Sequence, residues 1–140
     1  MRIVIPEEKK LVHEVVMPIR WGDMDAYGHV NNTIYFRYME QARIEWITEM
    51  GYDVAPGRET MVMFNGFCNF YKQLSYPSQL IVKTFTGAVG RTSLDLYTSM
   101  VLTQSPNEAV AEGGATMVWV DLVTGKSAPW PEEILQKVRA

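Results

Sequence analysis

One segment of the sequence, RWGDMDAYGHVNNTIYF at positions 20–36, concentrates side chains that can do acid–base or polar chemistry. They are two aspartates, one histidine and two asparagines: Asp23, Asp25, His29, Asn31 and Asn32. The segment stands where a strand-like run gives way to a helix-like run. The first N–H groups of a helix have no intrahelical acceptor, and the helix dipole places about half a positive charge there. Such a terminus binds anions, or stabilises an oxyanion that develops on a carbonyl.

A carboxylate six to eight residues before that terminus, across a glycine-containing loop, can face the same point. It would act as a general base, which contributes roughly 10² to 10⁴ in rate, or as a nucleophile. A carboxylate and an oxyanion donor are the minimum set for attack on a polarised carbonyl. The set suffices for a reactive electrophile such as a thioester, so the segment predicts a carbonyl site.

The same residues also fit a turn followed by a helix cap. Asp23 and Asp25 are typical of Asx-turns, in which the side chain bonds its own backbone. Asn31 and Asn32 are typical N-caps, and Gly28 suits the backbone of a loop. Capping is compatible with presenting backbone N–H groups to a ligand, so residue type alone leaves both interpretations open.

Length and composition predict a single domain over residues 1–140, with 47% hydrophobic and 21% charged residues. A formal charge of −3 and a pI near 5.4, without a Lys/Arg cluster, argue against a nucleic-acid partner. No apolar run approaches the roughly 20 residues that cross a bilayer, so no membrane partner is expected. The N-terminal sequence lacks the apolar core and cleavage site of a secretory signal, which predicts a cytoplasmic protein.

Cysteine and histidine are too scarce for the common metal sites. The only cysteine, Cys68, lies in an apolar, strand-like run and is expected to be an inert core thiol. The two histidines, His13 and His29, are distant in sequence and cannot supply a histidine-rich zinc site. No metal and no cofactor are implied.

Periodicity predicts one strand, one long helix and four more strands. The alternation of Val12–Trp21 predicts a strand. Pro18 has no N–H to donate, so either this strand lies at a sheet edge or the proline lies at a strand end or a bulge. Apolar residues at three- and four-residue steps predict a helix from about Thr33 to Met50. Asn31 or Asn32 would be its N-cap, and Gly51 its C′ residue.

The four later strand-like runs are Met61–Leu74, Gln79–Val89, Thr92–Thr103 and Ala109–Val123. Gly113-Gly114 within the last run predicts a β-bulge, and a short helix is expected to begin near Pro131. Strands joined in series by short turns pair antiparallel, so the predicted class is α+β, with one sheet face covering the helix.

The segment Arg20–Arg43, RWGDMDAYGHVNNTIYFRYMEQAR, resembles the hotdog-fold thioesterases of the 4-hydroxybenzoyl-CoA thioesterase type. It matches, without a gap, their signature of Asp-x-Asp, Gly-His-Val-Asn-Asn, then Tyr and Glu-x-Ala-Arg on the helix. Weaker matches are GRTS at Gly90–Ser93, VWVD at Val118–Asp121 and TGKSAPWP, which ends at Pro131. The resemblance covers nearly the whole chain in element order. It implies a five-stranded antiparallel sheet wrapped around one long central helix.

The resemblance also implies an activity, the hydrolysis of an acyl-CoA thioester to a free carboxylic acid and coenzyme A. The family's catalytic carboxylate falls on Asp25, and its oxyanion-binding backbone N–H falls on Asn32. Family active sites lie at a subunit interface, which implies a homodimer or a homotetramer. The remaining candidates are expected to contact substrate: His29 and Asn31 in the loop, Tyr35 in the acyl pocket, and Arg91 beside a nucleotide phosphate of coenzyme A.

Several alternatives stay open at this point. Asp25 can deprotonate a water or attack the thioester directly to give an anhydride. Other hotdog families carry the catalytic carboxylate on the central helix, where Glu40 is the candidate, although Glu40 is expected to pair with Arg43. The acyl group can be carried by acyl carrier protein, or the chain can be a module that binds acyl-CoA without hydrolysing it. A hotdog dehydratase is disfavoured because no histidine matches its helix motif.

Overall fold

The computed structural model describes residues 3–52 and 58–139 of the chain, which form a single antiparallel sheet packed on a long helix. The elements in chain order are β1 (Lys10–Ile19), α1 (Asn32–Glu49), β2 (Glu59–Phe70), β3 (Ser78–Val89), β4 (Ser93–Leu102), β5 (Ser105–Asp121), β6 (Lys126–Ser127) and α2 (Glu132–Val138). The sheet order is β1–β3–β4–β5–β2, with β6 paired to β5, and every pairing is antiparallel. This confirms the α+β class.

The prediction of five strands and one long helix is incomplete. The five long strands and α1 are present, and the described residues add the two-residue β6 and the short α2. β6 is too short to show a period-2 pattern, so its sequence looks like an ordinary turn. The helix expected near Pro131 is α2, with Pro131 as its N-cap residue.

Helix α1 begins and ends where local sequence signals predict. Asn31 is the N-cap, and its side chain accepts a hydrogen bond from the backbone N–H of Thr33. At the other end, Gly51 has φ of 95°, a left-handed conformation that glycine adopts without strain. The buried side chains of α1 recur at three- and four-residue steps and face the sheet: Tyr35, Tyr38, Met39, Ala42, Arg43, Trp46 and Ile47.

Two apolar clusters lie between α1 and the sheet. The α1-start cluster contains Met17, Ile19, Val30, Tyr35, Tyr38, Met39, Ala42, Leu74, Leu80, Val82, Met100, Val110 and Ala111. The α1-end cluster contains Trp46, Ile47, Leu94, Leu96, Met117, Trp119, Trp130, Ile134 and Val138. The α1-start cluster lies beneath the loop that carries the candidate residues. The α1-end cluster is closed by α2, which supplies Ile134 and Val138.

A row of polar or small residues crosses the middle of the sheet, one from each long strand. His13 is opposite Thr84, Thr84 is opposite Thr98, Thr98 is opposite Gly113, and Gly113 is opposite Cys68. His13, Thr84 and Thr98 are buried. No member of this cross-sheet row belongs to the buried residues of either apolar cluster, although Cys68 packs against the α1-start cluster.

Gly113 and Gly114 do not form the predicted bulge. Pairing between β2 and β5 runs without a shift from Asn65 to Phe70. The two glycines are instead sites of close approach. A Cβ on Gly113 would lie 2.6 Å from the Phe67 carbonyl oxygen and 2.7 Å from the Met39 sulfur, and one on Gly114 would lie 2.6 Å from the Phe67 ring. The bulge prediction was wrong because a glycine in a strand also allows such contacts, and sequence cannot separate the two uses.

The long edge strands of the sheet are β1 and β2, and the two-residue β6 is paired to β5 off the main strand order. Pro18 lies in β1, so the prediction of an edge strand is confirmed. β2 exposes apolar side chains along its length, and Phe64 is 76% exposed. The others are Val62, Met63 and Phe70.

Candidate active site

The loop between β1 and α1 folds back on itself and aims its side chains at the start of the helix. One turn of 3₁₀ helix, Trp21–Asp23, follows β1. Met24 then forms an isolated antiparallel bridge with Val30, and the Asp25 N–H donates to the His29 carbonyl at 2.9 Å. Gly28 lies at the tip with φ of 76°, a conformation that disfavours other residues.

The two aspartates of this loop have different surroundings. Asp23 Oδ2 accepts hydrogen bonds from the Arg20 N–H at 2.9 Å and from the Tyr38 hydroxyl at 2.7 Å. Asp25 Oδ1 accepts from the Tyr27 N–H at 2.9 Å, which makes the Asx-turn that its residue type predicts. The other oxygen, Asp25 Oδ2, has one long contact of 3.5 Å with Asn31 Nδ2. Asp25 therefore combines the structural role with an oxygen available for chemistry.

The start of α1 presents a free donor. Asn31 Oδ1 accepts from the Thr33 N–H at 2.9 Å and from the Thr33 hydroxyl at 2.7 Å. The Asn31 carbonyl accepts from the Ile34 N–H at 2.9 Å. Within residues 3–52 and 58–139, the Asn32 N–H has no acceptor. A helix N–H left without a protein partner is what an oxyanion site requires.

Asp25 and Asn32 line the same cavity of about 310 Å³, which we call the Asp25 cavity. Its other lining residues are Tyr27, His29, Val30, Tyr35, Phe70, Tyr71, Lys72 and Gln73. The structure thus brings together four of the six predicted site residues, and a fifth, Asn31, contacts Asp25. A carboxylate, a helix N–H and an aromatic wall lie around one space.

The segment between β2 and β3 supplies residues that sequence reasoning missed. Tyr71, Lys72 and Gln73 line the cavity, and the preceding Phe70 ends β2. They were predicted to continue the strand to Leu74, because apolar and aromatic residues recur up to Tyr71, interrupted only by Asn65-Gly66 and Asn69. The adjacent polar pair at 72–73 is the one local signal that the strand has ended.

Tyr35 forms part of the aromatic wall. Its ring packs edge-to-face on Phe70, with centroids 4.9 Å apart, and its hydroxyl donates to the Lys72 carbonyl at 3.4 Å. Burial, and to a smaller extent the nearby Cys68, raise the pKa of Tyr35, so the phenol is neutral at physiological pH. The Lys72 ammonium forms an ion pair with Glu108 at the protein surface.

Arg91 lies far from the cavity within one chain. It occupies the turn between β3 and β4, whereas the cavity lies by the opposite end of the sheet, where β3 begins. A strand rises about 3.3 Å per residue, so the 12 residues of β3 separate the two by roughly 35 Å. Its contact with substrate stays a prediction that requires a second subunit.

Glu40 is exposed and does not line the Asp25 cavity. The close ion pair of Glu40 is with Arg37, whose Nη1 lies 3.0 Å from Glu40 Oε1, and Glu40 acts on the predicted partner Arg43 only through its charge. Arg43 is buried on α1, and the part of the chain that the structure describes gives it no ion pair. Burial lowers the pKa of its guanidinium, and the charge of Glu40 opposes this shift by raising the pKa. Arg37 and Arg43 each lie three residues from Glu40, so the sequence spacing allowed an ion pair with either. The orientation of α1 on the sheet, which buries Arg43, favours Arg37.

Two further searches cover only the described ranges. No group of three or more His, Cys, Asp or Glu side chains there could hold a metal ion. Neither helix is long and apolar enough to cross a membrane.

Comparison with known proteins matches this chain and its fold to one family. A family profile described as the thioesterase-like superfamily matches residues 19–138. The chain is similar to the PA2801 protein of Pseudomonas aeruginosa, a predicted thioesterase, with 35% identity and a TM-score of 0.88 over 91% of this chain and 98% of that one. It is 28% identical to a thioesterase from Thermus thermophilus solved with coenzyme A and Zn, with a TM-score of 0.79 over 92% of each chain.

A further relative is YsmA of Bacillus subtilis (strain 168), an uncharacterised protein that is 28% identical over 116 residues, or 82% of this chain and 77% of that protein. The profile match covers most of the chain, including the loop, α1 and all later strands. The chain therefore belongs to the thioesterase-like superfamily and is a thioester hydrolase with the hotdog fold.

Proposed function

We propose that the protein hydrolyses acyl-CoA thioesters to a carboxylic acid and coenzyme A, with Asp25 as the catalytic carboxylate and the Asn32 N–H as the oxyanion donor. The observation that supports this most directly is the meeting of these two groups in the Asp25 cavity. One oxygen of Asp25 has a single long contact, and the Asn32 N–H has no acceptor within the described residues. Both groups are therefore free to act on a ligand.

In the general-base route, the thioester carbonyl oxygen accepts a hydrogen bond from the Asn32 N–H. Asp25 removes a proton from water as the water oxygen bonds to the carbonyl carbon. The Asn32 N–H and the helix dipole stabilise the oxyanion, which is worth roughly 10² to 10³ in rate for one such donor. Collapse breaks the C–S bond, and the proton held by Asp25 passes to the leaving thiolate.

In the covalent route, Asp25 itself bonds to the carbonyl carbon and the C–S bond breaks, so that coenzyme A leaves as its thiolate and a mixed anhydride remains. Water then cleaves the anhydride to the free carboxylic acid and the Asp25 carboxylate, and the proton released neutralises the thiolate. Rapid quenching followed by mass spectrometry distinguishes the routes. An acyl mass on Asp25 supports the anhydride, and its absence during a kinetically resolved single turnover supports general-base catalysis.

We propose supporting roles for three neighbours of this pair. His29 contacts substrate or the attacking water from the cavity wall, Tyr35 packs against the acyl group, and Asn31 holds Asp25 Oδ2 through its amide. The variants His29→Ala, Tyr35→Leu and Asn31→Ala test these roles one at a time. Rates near wild type in a folded variant would remove that residue from the site.

The active unit is proposed to contain two copies of the chain. The exposed apolar side chains of β2 support this, since an apolar edge strand is prone to pair with another strand. A partner would also bring its own β3–β4 turn, and hence Arg91, from outside the chain. Sedimentation of wild type and Phe64→Lys tests the edge. A fully active wild-type monomer at micromolar concentration would contradict the proposal.

The main experiment measures thiol release from a panel of short, long and aromatic acyl-CoAs by wild type, Asp25→Ala and a matched control. We expect Asp25→Ala to lower kcat by about a hundredfold or more, because the variant lacks the carboxylate that acts as the base in one route and as the nucleophile in the other. Asp121→Ala is the control, since Asp121 ends β5 at the far end of the sheet and bonds Arg58 there. Its kcat should stay within twofold of wild type.

The same experiment separates the alternatives. Each acyl group that turns over is also tested as its acyl carrier protein thioester. A higher kcat/KM for that thioester would make acyl carrier protein, rather than coenzyme A, the proposed carrier. Binding of acyl-CoA without any turnover would contradict the enzyme and favour a binding module. Turnover that survives Asp25→Ala would contradict the assigned carboxylate.

A further inference from the structure

Tyr38 and Asp23 form a hydrogen-bonded pair that the reaction does not use directly. Tyr38 lies in the second turn of α1 and is 7% exposed, and its hydroxyl donates to Asp23 Oδ2 at 2.7 Å. Burial raises the pKa of Tyr38, and the hydrogen bond and negative charge of Asp23 raise it further. The phenol therefore remains a donor throughout the physiological range.

The backbone of Asp23 connects the Tyr38–Asp23 hydrogen bond to the active site. Its carbonyl accepts the Asn31 N–H at 3.0 Å, and its side chain also accepts the Arg20 N–H at 2.9 Å. The Asn31 side chain caps α1 through Thr33 and contacts Asp25 Oδ2 at 3.5 Å. A continuous series of contacts thus leads from the body of α1 to the catalytic carboxylate.

The pair does not line the Asp25 cavity. Asp23 and Tyr38 line a separate cavity of about 520 Å³ on the other flank of α1, together with Arg20 and Arg37. Two aspartates that are two residues apart are therefore on opposite sides of the helix start. Asp23 Oδ2 accepts hydrogen bonds from two donors, whereas Asp25 Oδ2 is open to a ligand. Asp23 and Tyr38 therefore influence the reaction indirectly, through the loop and through the Tyr35 ring, whose centroid lies 6.4 Å from that of Tyr38 and which Tyr38→Phe leaves in place.

We propose that Tyr38, acting through Asp23, is a positioning residue that fixes the loop so that Asp25 and the Asn32 N–H face the same carbonyl. This inference rests on the proposed function, because it assumes that Asp25 and Asn32 carry the reaction. Misplacing a catalytic group by about 1 Å can cost roughly a hundredfold in rate. Loss of one anchor among several loop contacts should therefore lower kcat and leave substrate binding nearly unchanged.

The test is a double-mutant cycle on kcat and KM with the best acyl-CoA substrate. We expect Tyr38→Phe and Asp23→Ala each to lower kcat by about tenfold, with KM within twofold of wild type. The double variant should be no slower than Asp23→Ala alone, because Asp23→Ala already removes the hydrogen bond that Tyr38→Phe removes, together with the one from the Arg20 N–H. Asp23→Asn keeps an oxygen acceptor for the phenol and should restore kcat to within threefold of wild type.

The matched control is Tyr52→Phe, which also removes a tyrosine–carboxylate hydrogen bond. The Tyr52 hydroxyl lies 2.8 Å from Glu133 Oε2, on the side of the molecule where α1 ends. Its kcat should equal that of wild type, even if stability falls by the usual amount for a lost hydrogen bond. A purely structural role for Tyr38 predicts the same result for both tyrosines: lower stability and unchanged kcat in the folded enzyme.

Each outcome counts for or against the proposal. A kcat for Tyr38→Phe within twofold of wild type overturns it, as does a double variant whose loss is the product of the single losses. If Tyr38→Phe does not fold, Asp23→Ala and Asp23→Asn, at a half-buried position, decide the question by their difference in kcat. Collapse of Asp25→Ala with an unaffected Tyr38→Phe leaves the proposed function standing and rejects only the positioning role. A wild type without thioesterase activity contradicts the proposed function, and this inference fails with it.

Discussion

The two ends of α1 differ in how completely their polar and aromatic groups are satisfied. Where α1 ends, Trp119 is 2% exposed, its Nε1 donates to Glu59, and its ring lies against Trp130 and Tyr52. Where α1 begins, Trp21 is 73% exposed, Tyr27 is 87% exposed, and the described residues supply no acceptor for the Asn32 N–H. The groups where α1 ends are paired and packed within the protein, whereas those where α1 begins are open to a ligand.

This difference indicates a division of labour between stability and chemistry. A buried aromatic residue with its polar atom paired stabilises the fold. An unpaired donor contributes nothing to the fold until a ligand accepts its hydrogen bond. A site that must bind a developing charge therefore belongs where the structure can leave groups unpaired. The other end of α1, distant from the loop between β1 and α1, supplies the stability that permits this.

The largest expected effect comes from the same substitution made at both ends. Trp119→Ala should lower the free energy of unfolding by about 3–5 kcal/mol, because it empties a buried, ring-packed site. Trp21→Ala should change it by less than about 0.5 kcal/mol, because the side chain is mostly in solvent. Urea titration followed by circular dichroism measures both.

The same pair also tests the division in activity. The kcat of Trp119→Ala, measured where the variant is folded, should remain within twofold of wild type. Equal losses of stability at the two ends, or a collapse of kcat in folded Trp119→Ala, would break the comparison.

A second expected effect tests how far the Asp25 cavity extends along β2. Cys68 lies in β2, two residues before the cavity residue Phe70, and burial raises the pKa of its thiol to about 12. Against the ordinary value of 9.0, this reduces the thiolate fraction at pH 8 by about a thousandfold. Iodoacetamide should therefore modify the native protein far more slowly than the urea-unfolded chain, as followed by mass spectrometry. Native and unfolded rates within tenfold would show that the cavity extends to the thiol.

The sign of the pH effect follows from the same shift. Below pH 8 the thiol is neutral in both folded and unfolded chains, so Cys68 adds no pH dependence to stability. Above about pH 9 the unfolded thiol ionises while the folded one stays protonated. Stability associated with this group is therefore present at neutral pH and is lost as pH rises from about 9 towards 12.

The smallest effect concerns the boundary between the two ends, at Gly113 in the cross-sheet row. Gly113→Ala should lower the free energy of unfolding by about 1–3 kcal/mol, because its Cβ would meet the Phe67 carbonyl at 2.6 Å. The backbone carbonyl cannot move aside as a side chain can. Gly22→Ala is the control, since nothing lies within 4 Å of a Cβ there, and thermal unfolding compares the two. An unchanged melting temperature for Gly113→Ala would mean that β2 does not approach β5 as closely at this point as the structure places it.

Local signals in the sequence were enough for the elements but not for the contacts between them. The bounds of α1 followed from apolar spacing, an asparagine cap and a glycine stop, all of which act within one turn. The lining of the Asp25 cavity by Tyr71, Lys72 and Gln73 depends on where β2 ends against β5, for which the polar pair at 72–73 is the one local signal.

The roles of the two aspartates illustrate the same limit. Asp23 and Asp25 are equivalent as turn residues, and a family resemblance was needed to choose between them. The difference arises from Tyr38, 15 positions after Asp23, whose rotation on α1 brings its hydroxyl to Asp23 rather than to Asp25. The pairing of Glu40 with Arg37 instead of Arg43 has the same origin.

The two edges of the sheet have a consequence for polymerisation. A sheet with two open edges can add strands without end, whereas a sheet that can pair at one edge stops after one addition. Pro18 removes an N–H donor from β1, while β2 carries the exposed apolar side chains. Two copies that met through β2 about a twofold axis would each turn a proline-bearing edge outward. In such an assembly the long edge strands left outside would be the proline-bearing β1 strands, which are poorer templates than β2 for adding a further strand and growing a fibre.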